Sequence, residues 1–421
     1  MTKKISKLRR YYWCLMVIFI ALLIIGTVNV FSATFVDDRL NGNSYSHLGK
    51  QIGCIIVGGI ISYYGFYRND YHIWRKYIKG EIIVMLLVLG AVLFVGTVVN
   101  GSRRWISIGP LSFQPSELAK LVSIIYASHY IASFLERQRT IEFLYTLSNK
   151  KKDTGIGKFL QKFHWIPHIS LWGPLVMASL VIVQPDAGTA IVIFGIPAFM
   201  LLISGAHILK LKKTLLCIMG AFVVMVIQAP YRLERIRIWL NPEIDPQNAG
   251  YQSMQGLIAI STGHLTGQGI GGGVSKFGSL PEAATDFAFA VLAQEWGLFG
   301  TLLVIALFLA VSYFGILTSL HCNDKFGSLL ALGMTLYLGG QGFINIAMVS
   351  GVLPVVGVPL PFISYGGTSL VVNMIAAAVL LNISKQNYRC AEKEYMQYPM
   401  PPRRSLKEET RSQFPVKPDN P

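Results

Sequence analysis

The sequence predicts an all-α, polytopic integral membrane protein of about ten transmembrane helices, and three observations carry that prediction. Of its 421 residues, 52% are hydrophobic, and the mean hydropathy is +0.49. Only 14% are charged, against about a quarter in soluble domains. The apolar residues also fall in long blocks, and about twenty consecutive apolar residues cross the hydrocarbon layer as one helix.

Taken in order, the blocks put spans at about 11–33, 47–66, 80–99, 114–134, 165–183, 187–205, 213–230, 287–316, 327–349 and 365–384. The first follows Lys3, Lys4, Lys7, Arg9 and Arg10, as the apolar core of a signal peptide would. Its apolar run is too long for one, and no clear small-residue cleavage site follows. Residues 1–10 are therefore read as a basic N-terminal segment, 11–384 as one membrane domain, and 385–421 as a proline-rich tail expected to be disordered.

Lysine and arginine set the orientation. They concentrate in the N-terminal segment, in 68–79, 137–162 and 210–213, at Lys325 and in the tail, all on one side under this span count. The positive-inside rule makes that side, and with it both termini, cytoplasmic. The net charge of +16 follows from this bias, so no nucleic-acid partner is implied; contact with anionic lipid head groups is compatible with it. The five cysteines lie in spans or on the cytoplasmic side, so no disulfide framework is expected. No metal-spaced Cys/His cluster occurs.

The external side is uneven. A tight turn, Gln184-Pro-Asp-Ala-Gly188, joins spans five and six, and a long loop, 231–286, joins spans seven and eight. That loop holds an amphipathic stretch at 235–240 and an apolar helical stretch near 252–262, so it is expected to fold against the membrane surface. Gly267-Gln-Gly-Ile-Gly-Gly272 satisfies GxGxxG, but no strand precedes it and no βαβ unit surrounds it; it is read as a tight backbone loop. The segment 351–367 contains Pro354, Pro359 and Pro361, then Ser364, Tyr365 and Gly366. Irregular backbone at membrane depth lines cavities or is buried in protein, which makes these residues candidate pocket wall.

The candidate chemical residues lie on this external side. Arg103 and Arg104 stand between spans three and four, and Arg232, Arg235 and Arg237 open the long loop. Guanidinium groups bind phosphate oxygens in bidentate fashion, although interfacial anchoring is the ordinary use of such residues. Ser116 is expected to cap the helix of span four. Glu117 and Lys120 are three apart on one helix face, either as a structural ion pair or facing a cavity. Asp186 reads as a turn-and-cap residue, and Glu295 as an interior hydrogen-bonded carboxyl favouring its protonated form. Asp286, in Leu280-Pro-Glu-Ala-Ala-Thr-Asp-Phe287, opens span eight. It is either a helix cap or a catalytic base, held ionised by the dipole and the arginines and ready to take a proton from a hydroxyl. The residues themselves leave both readings open.

Five segments in register resemble the SEDS family of bacterial shape, elongation, division and sporulation proteins, which includes FtsW and RodA. They are Gly101-Ser-Arg-Arg-Trp-Ile106, Phe113-Gln-Pro-Ser-Glu-Leu-Ala-Lys120, Gln184-Pro-Asp-Ala-Gly-Thr189, Leu280–Phe287 and Leu360-Pro-Phe-Ile-Ser-Tyr-Gly-Gly367. The resemblance implies a ten-span SEDS fold and a peptidoglycan glycosyltransferase that polymerises lipid II on the outer face of the bacterial cytoplasmic membrane. It also implies a class B penicillin-binding protein as partner, within a division or elongation complex. The family's essential aspartate falls on Asp286, its arginine before tryptophan on Arg104, and its span-four acid and lysine on Glu117 and Lys120. Arg103, Arg104 and Lys120 become candidates to neutralise the diphosphate, with a divalent cation (Mg or Mn) as a candidate helper. One departure is Ala284, where the family commonly has histidine. The end of span one, Asn29-Val-Phe-Ser-Ala33, is more similar to the division type. Rival readings are a lipid II flippase and a non-catalytic scaffold.

Overall fold

The computed structural model describes residues 2–99, 102–108, 111–148, 169–205, 230–241, 245 and 250–397. Twelve α-helices occur among them. They are α1 (Thr2–Leu40), α2 (Ser46–Ile61), α3 (His72–Val95), α4 (Pro115–Ser148), α5 (Ile169–Val183) and α6 (Ala187–Ile203), then α7 (Pro230–Leu240), α8 (Tyr251–Thr262), α9 (Ala288–Leu320), α10 (Lys325–Thr335), α11 (Gln341–Val349) and α12 (Gly367–Gln397). Helices α1, α3, α4, α9, α12 and the α10–α11 pair are long and apolar enough to cross a membrane, and α5 and α6 are shorter apolar helices. Nine of the expected spans coincide with these elements and with α2. Span seven and the basic stretch 149–162 lie outside the described residues.

The bundle core lies where α1, α4, α9, α10, α11 and α12 meet, with Leu22, Phe287, Phe308, Phe326 and Tyr337 fully buried. Outward-facing positions are apolar too: Val17, Ile24, Leu87, Phe94, Phe299 and Leu309 are exposed. Helices apolar on every side are those of a membrane interior, so lipid covers this belt.

Breaks in the helices mark where polar groups enter. Helix α10 passes into α11 through a π turn, Leu336–Gly340, a feature enriched at functional sites. Helix α9 is kinked at Gly297, whose φ of 65° is left-handed and which glycine adopts without penalty. The kink frees backbone groups, and the glycine loop after α8 takes them up. The amides of Gln268 and Gly269 donate to the carbonyls of Gln294 and Glu295, both at 3.0 Å, while the amide of Leu298 donates to the His264 carbonyl at 3.0 Å. The GxGxxG segment is thus a backbone splint for a broken helix.

Three differences from the sequence reading stand out. Span three ends at Val95 and is followed by antiparallel strands β1 (Thr97–Val99), β2 (Ser102–Ile108) and β3 (Leu111–Phe113). Alternation and β-branched residues explain them, and the Asn100-Gly101 pair between β1 and β2 is a hairpin signal. Helix α4 starts at Pro115, a favoured first helical residue, so Ser116 is not the cap; its hydroxyl accepts from Gln114 Nε2 at 3.1 Å. Helix α12 continues to Gln397, into the segment expected to be disordered; residues from 398 lie outside the described ones.

On the hairpin face, loops replace helix. The strands are tied to α12 through Thr368, whose hydroxyl accepts from the Gln114 amide and donates to the Ser112 carbonyl, both at 3.2 Å. The α5–α6 turn packs directly on 351–366: a Cβ added at Gly188 would sit 2.1 Å from the Val356 carbonyl oxygen. Gly188→Ala is therefore expected to cost about 1–3 kcal/mol of stability, read as a fall in the thermal unfolding midpoint of the purified protein.

Candidate active site at the hairpin face

Asp286 sits on the last turn before α9, at the end of a loop wrapped around one carbonyl. The amides of Thr285 and Phe287 both donate to the Glu282 carbonyl at 3.1 Å. Glu282 itself has φ 54°, an uncommon conformation for a residue with a Cβ. Three neighbours hold the loop. The Tyr365 amide donates to the Ala284 carbonyl at 2.8 Å. Asn345 Nδ2 on α11 donates to the Asp286 carbonyl at 2.8 Å and to the Val358 carbonyl at 2.7 Å. Asn29 of α1 donates to the Ala288 carbonyl at 3.1 Å.

The side chain of Asp286 is left out of this scaffolding. Helix α9 begins at Ala288 with Phe287 in the cap position and no side-chain cap bond, so Asp286 is not its cap. Its carboxylate accepts no hydrogen bond among the described residues, and one oxygen would lie 3.4 Å from a Cβ at Gly357. It keeps some solvent access while being densely surrounded. Burial first, then the charges of Glu282 and Asp186, push its pKa up to about 7, against the opposing pull of Arg235 and Arg104. The arginines favour the ionised form, as expected, but desolvation and like charge outweigh them.

The two external arginines next to each other in sequence part company in space. Successive strand residues face opposite ways, and Arg103 and Arg104 both lie on β2. Arg104 turns to the α5–α6 turn: Nε donates to the Gln184 carbonyl at 3.1 Å and Nη2 to the Pro185 carbonyl at 2.7 Å. Two of its five donors are used, and it stands close enough to bias Asp286. Arg103 is exposed and reaches the last carbonyls of α3, Phe94 at 3.3 Å and Leu93 at 3.5 Å. From α7, Arg235 donates to the Val355 carbonyl at 2.9 Å and Trp239 to the Gly351 carbonyl at 3.0 Å, which seats this helix on the pocket wall. Arg232 lies on the same helix, but its side chain is outside those described.

Deeper in the bundle, Lys120 Nζ donates to Glu117 Oε1 at 2.8 Å and to Gln341 Oε1 at 3.1 Å. Both charged side chains are almost fully buried, and Lys120 also lies over the Tyr337 ring at 5.3 Å. Gln341 in turn donates to the Pro359 carbonyl at 3.0 Å. The pair thus supports the irregular wall, and Glu117 Oε2 is left buried without a partner among the described residues. Asp186 caps α6, accepting from the Thr189 amide at 3.1 Å, while its other oxygen accepts from Gln114 Nε2 at 3.2 Å. In the wall itself, the Ser364 hydroxyl accepts from the Leu360 amide at 2.8 Å. The Tyr365 ring meets His47 edge-on at 4.9 Å, and Gly366 accepts the Leu370 amide at 2.8 Å at the start of α12.

Some functional positions had no sequence signal. Asn345 and Gln341 are ordinary amides within an apolar span. Glu282 lies in the quoted motif, yet only its distance from Asp286 reveals its electrostatic part. Glu295, expected as an interior hydrogen-bonded carboxyl, accepts from the Ser32 hydroxyl at 2.6 Å and is paired with Lys276 at 2.7 Å.

Fold and site together define a multi-pass membrane protein holding a carboxyl of raised pKa at the mouth of a helical bundle, between arginines from a hairpin and an interfacial helix. The profile of the FtsW, RodA and SpoVE cell cycle proteins matches residues 12–389. The chain is 37% identical over 376 residues to stage V sporulation protein E of Bacillus subtilis, covering 88% of this chain and 96% of that protein. It is 37% identical over 375 residues to the probable peptidoglycan glycosyltransferase FtsW of Nitrosomonas europaea, covering 87% and 90%. Among solved structures it is similar to a chain of a peptidoglycan synthase complex that coordinates polymerization and crosslinking, with TM-score 0.68 and 25% identity over 90% of this chain and 98% of that one. The rod shape determining protein RodA of Thermus thermophilus shares the fold at TM-score 0.60 and 22% identity, over 89% and 97%. The chain belongs to the FtsW/RodA/SpoVE family of cell cycle proteins, and is a multi-pass protein of the cytoplasmic membrane.

The titration of Asp286 has a direct readout. If its carboxylate is the working form, kcat/KM falls towards acid with a midpoint near pH 7. Glu282→Gln removes a like charge that raises this pKa, so the midpoint moves to lower pH; Arg104→Gln removes a stabilising charge and moves it higher. A pH–rate profile of each variant checks both signs.

Proposed function

We propose that this chain is a peptidoglycan glycosyltransferase that polymerises lipid II into glycan strands, with Asp286 as general base. The hairpin face is external in this reading, and both termini are cytoplasmic. The observation that carries it is the Asp286 carboxyl, free of hydrogen bonds among the described residues and brought to a pKa of about 7. A general base works best near the ambient pH, and its lone pairs here are uncommitted. Relatives named probable peptidoglycan glycosyltransferase FtsW, similar over most of this chain, support the reaction class and the division type. A role at the septum follows from that type; the elongation type is the alternative.

In the proposed step, Asp286 takes the proton of the GlcNAc 4-hydroxyl of an acceptor lipid II. The oxygen attacks the anomeric carbon of MurNAc at the end of the growing strand, from the face opposite the diphosphate. The bond from that carbon to the diphosphate oxygen breaks, and undecaprenyl diphosphate leaves with the electron pair, inverting the centre. Proton abstraction accounts for about 10²–10⁴-fold in rate, so charge stabilisation of the leaving group must supply much of the rest. Arg104 and Arg235, each with donors to spare, are assigned to that charge, and Arg103 to the rim. Glu117 and Lys120 act from below, through Gln341 and the Pro359 wall.

Among the described residues no group of three metal-ligating side chains converges. A Mg or Mn ion would therefore have to share its ligands with the diphosphate, and the leaving-group charge is assigned to the arginines. A class B penicillin-binding protein is the proposed partner, supplying the crosslinking step.

Polymerisation of purified lipid II by the full chain, with and without that partner, tests the assignment. Asp286→Asn is expected to lower the rate by at least about 10²-fold while thermal unfolding is unchanged; an Asn variant as fast as the parent disproves the base. If the parent makes no polymer even with the partner, while labelled lipid II crosses vesicle bilayers, the protein is a flippase instead. A scaffold would bind the partner and do neither.

A further inference from the structure

A second pair of charges is buried on the hairpin face and takes no part in the chemistry above. Lys276, in the loop after α8, and Glu295, in α9, have side chains 3% and 0% exposed, with Nζ and Oε1 2.7 Å apart. The Ser32 hydroxyl of α1 lies 2.6 and 2.8 Å from the two Glu295 oxygens, donates to that carboxylate and accepts from Lys276 Nζ at 2.9 Å. One residue along, Gln294 Oε1 accepts from the Ser275 amide at 3.1 Å, and its Nε2 donates to Thr262 at 2.9 Å. Two successive side chains of α9 thus grip two successive residues of the loop.

These bonds close residues 276–295 into a ring with Asp286 near its middle, ten residues from Lys276 and nine from Glu295. Little slack is left in it. The Leu280 amide donates to the Ser275 carbonyl at 3.0 Å, and Leu280 and Phe287 are buried on either side of the Asp286 turn. Stability is a poor explanation for a buried ion pair, because well-packed apolar residues of similar volume often do as well or better. A charge pair does something an apolar contact does not: it is directional, and in a medium that penalises single charges it fixes one register or opens altogether.

We propose that Lys276 and Glu295, seated on Ser32, form a positioning clip that holds the Asp286 loop in its working geometry. The clip rests on the assignment of Asp286 as base. Neither residue touches substrate; both act through the loop. Facing the Asp286 carboxyl are Glu282 in its own loop, Asp186 of the α5–α6 turn, Arg104 of the hairpin and Arg235 of α7. Loosening the loop admits water and separates these groups, and since burial dominates, the acid limb of the rate profile should move to lower pH.

The test uses the full chain with its partner in lipid vesicles, measuring lipid II polymerisation against pH and amide hydrogen exchange over 277–287. Lys276→Met and Glu295→Gln are each expected to lower the rate at saturating lipid II by roughly 10–100-fold, shift the acid limb downwards and speed exchange in the loop. Ser32→Ala, which keeps the ion pair, should do the same to a smaller degree and guards against variants that fail to fold. The exchanged pair, Lys276→Glu with Glu295→Lys, should recover rate, midpoint and protection together. Single variants that slow the enzyme but leave midpoint and loop exchange at parental values would overturn the clip and leave only a structural ion pair. If Asp286→Asn proves active, the base assignment fails, and loop exchange still decides whether the clip exists.

Discussion

Lipid offers no hydrogen bonds, so each polar group this protein takes to membrane depth must find its partner within the chain. Most of the architecture on the hairpin face follows from that requirement. Helix α9 can break at Gly297 only because the amides of Gln268 and Gly269 take up the carbonyls that the break sets free. Segment 351–366 can run without helix because Gln341, Asn345, Arg235 and Trp239 donate to its carbonyls. Lys120 can be buried because Glu117 and Gln341 meet it. The break in α9 is thus met by backbone amides of the glycine loop, while the irregular wall draws polar side chains from α7 and α11.

Within that wall, two aspartates next to helix starts have opposite fates. Asp186 meets its helix amide and the Gln114 amide group, so its carboxylate is committed to structure. Asp286 stands two residues before its helix starts and its carboxylate accepts no hydrogen bond among the described residues, while Asn345 and Asn29 serve the backbone carbonyls of Asp286 and Ala288. A carboxylate relieved of structural duty, crowded by two acids and only partly offset by two arginines, stays poised between its charged and neutral forms. The same neighbours that raise its pKa thus prepare it to exchange a proton.

Ala284 fits this picture. Its carbonyl accepts from the Tyr365 amide, and its methyl packs against the hydrophobic core. The pKa of Asp286 is raised first by burial and then by Glu282 and Asp186, against Arg235 and Arg104, groups that come from four different parts of the chain.

The sequence by itself determined the membrane class, nine of the ten spans, which fall on described helices, and the irregular backbone at 351–367. Those features depend on local composition: apolar run length, proline and glycine spacing, and motifs a few residues long. It could not weigh burial against charge at Asp286, because a pKa depends on burial and on charges distant along the chain. It also could not divide Arg103 from Arg104, which a two-residue period sends to opposite faces of a strand the apolar pattern had concealed. Lys276, Gln341 and Asn345 acquired meaning only when the bundle closed, since long-range pairs are fixed by which helices touch. The tertiary structure decided how the site is tuned, because tuning is a property of distances between segments rather than of the segments themselves.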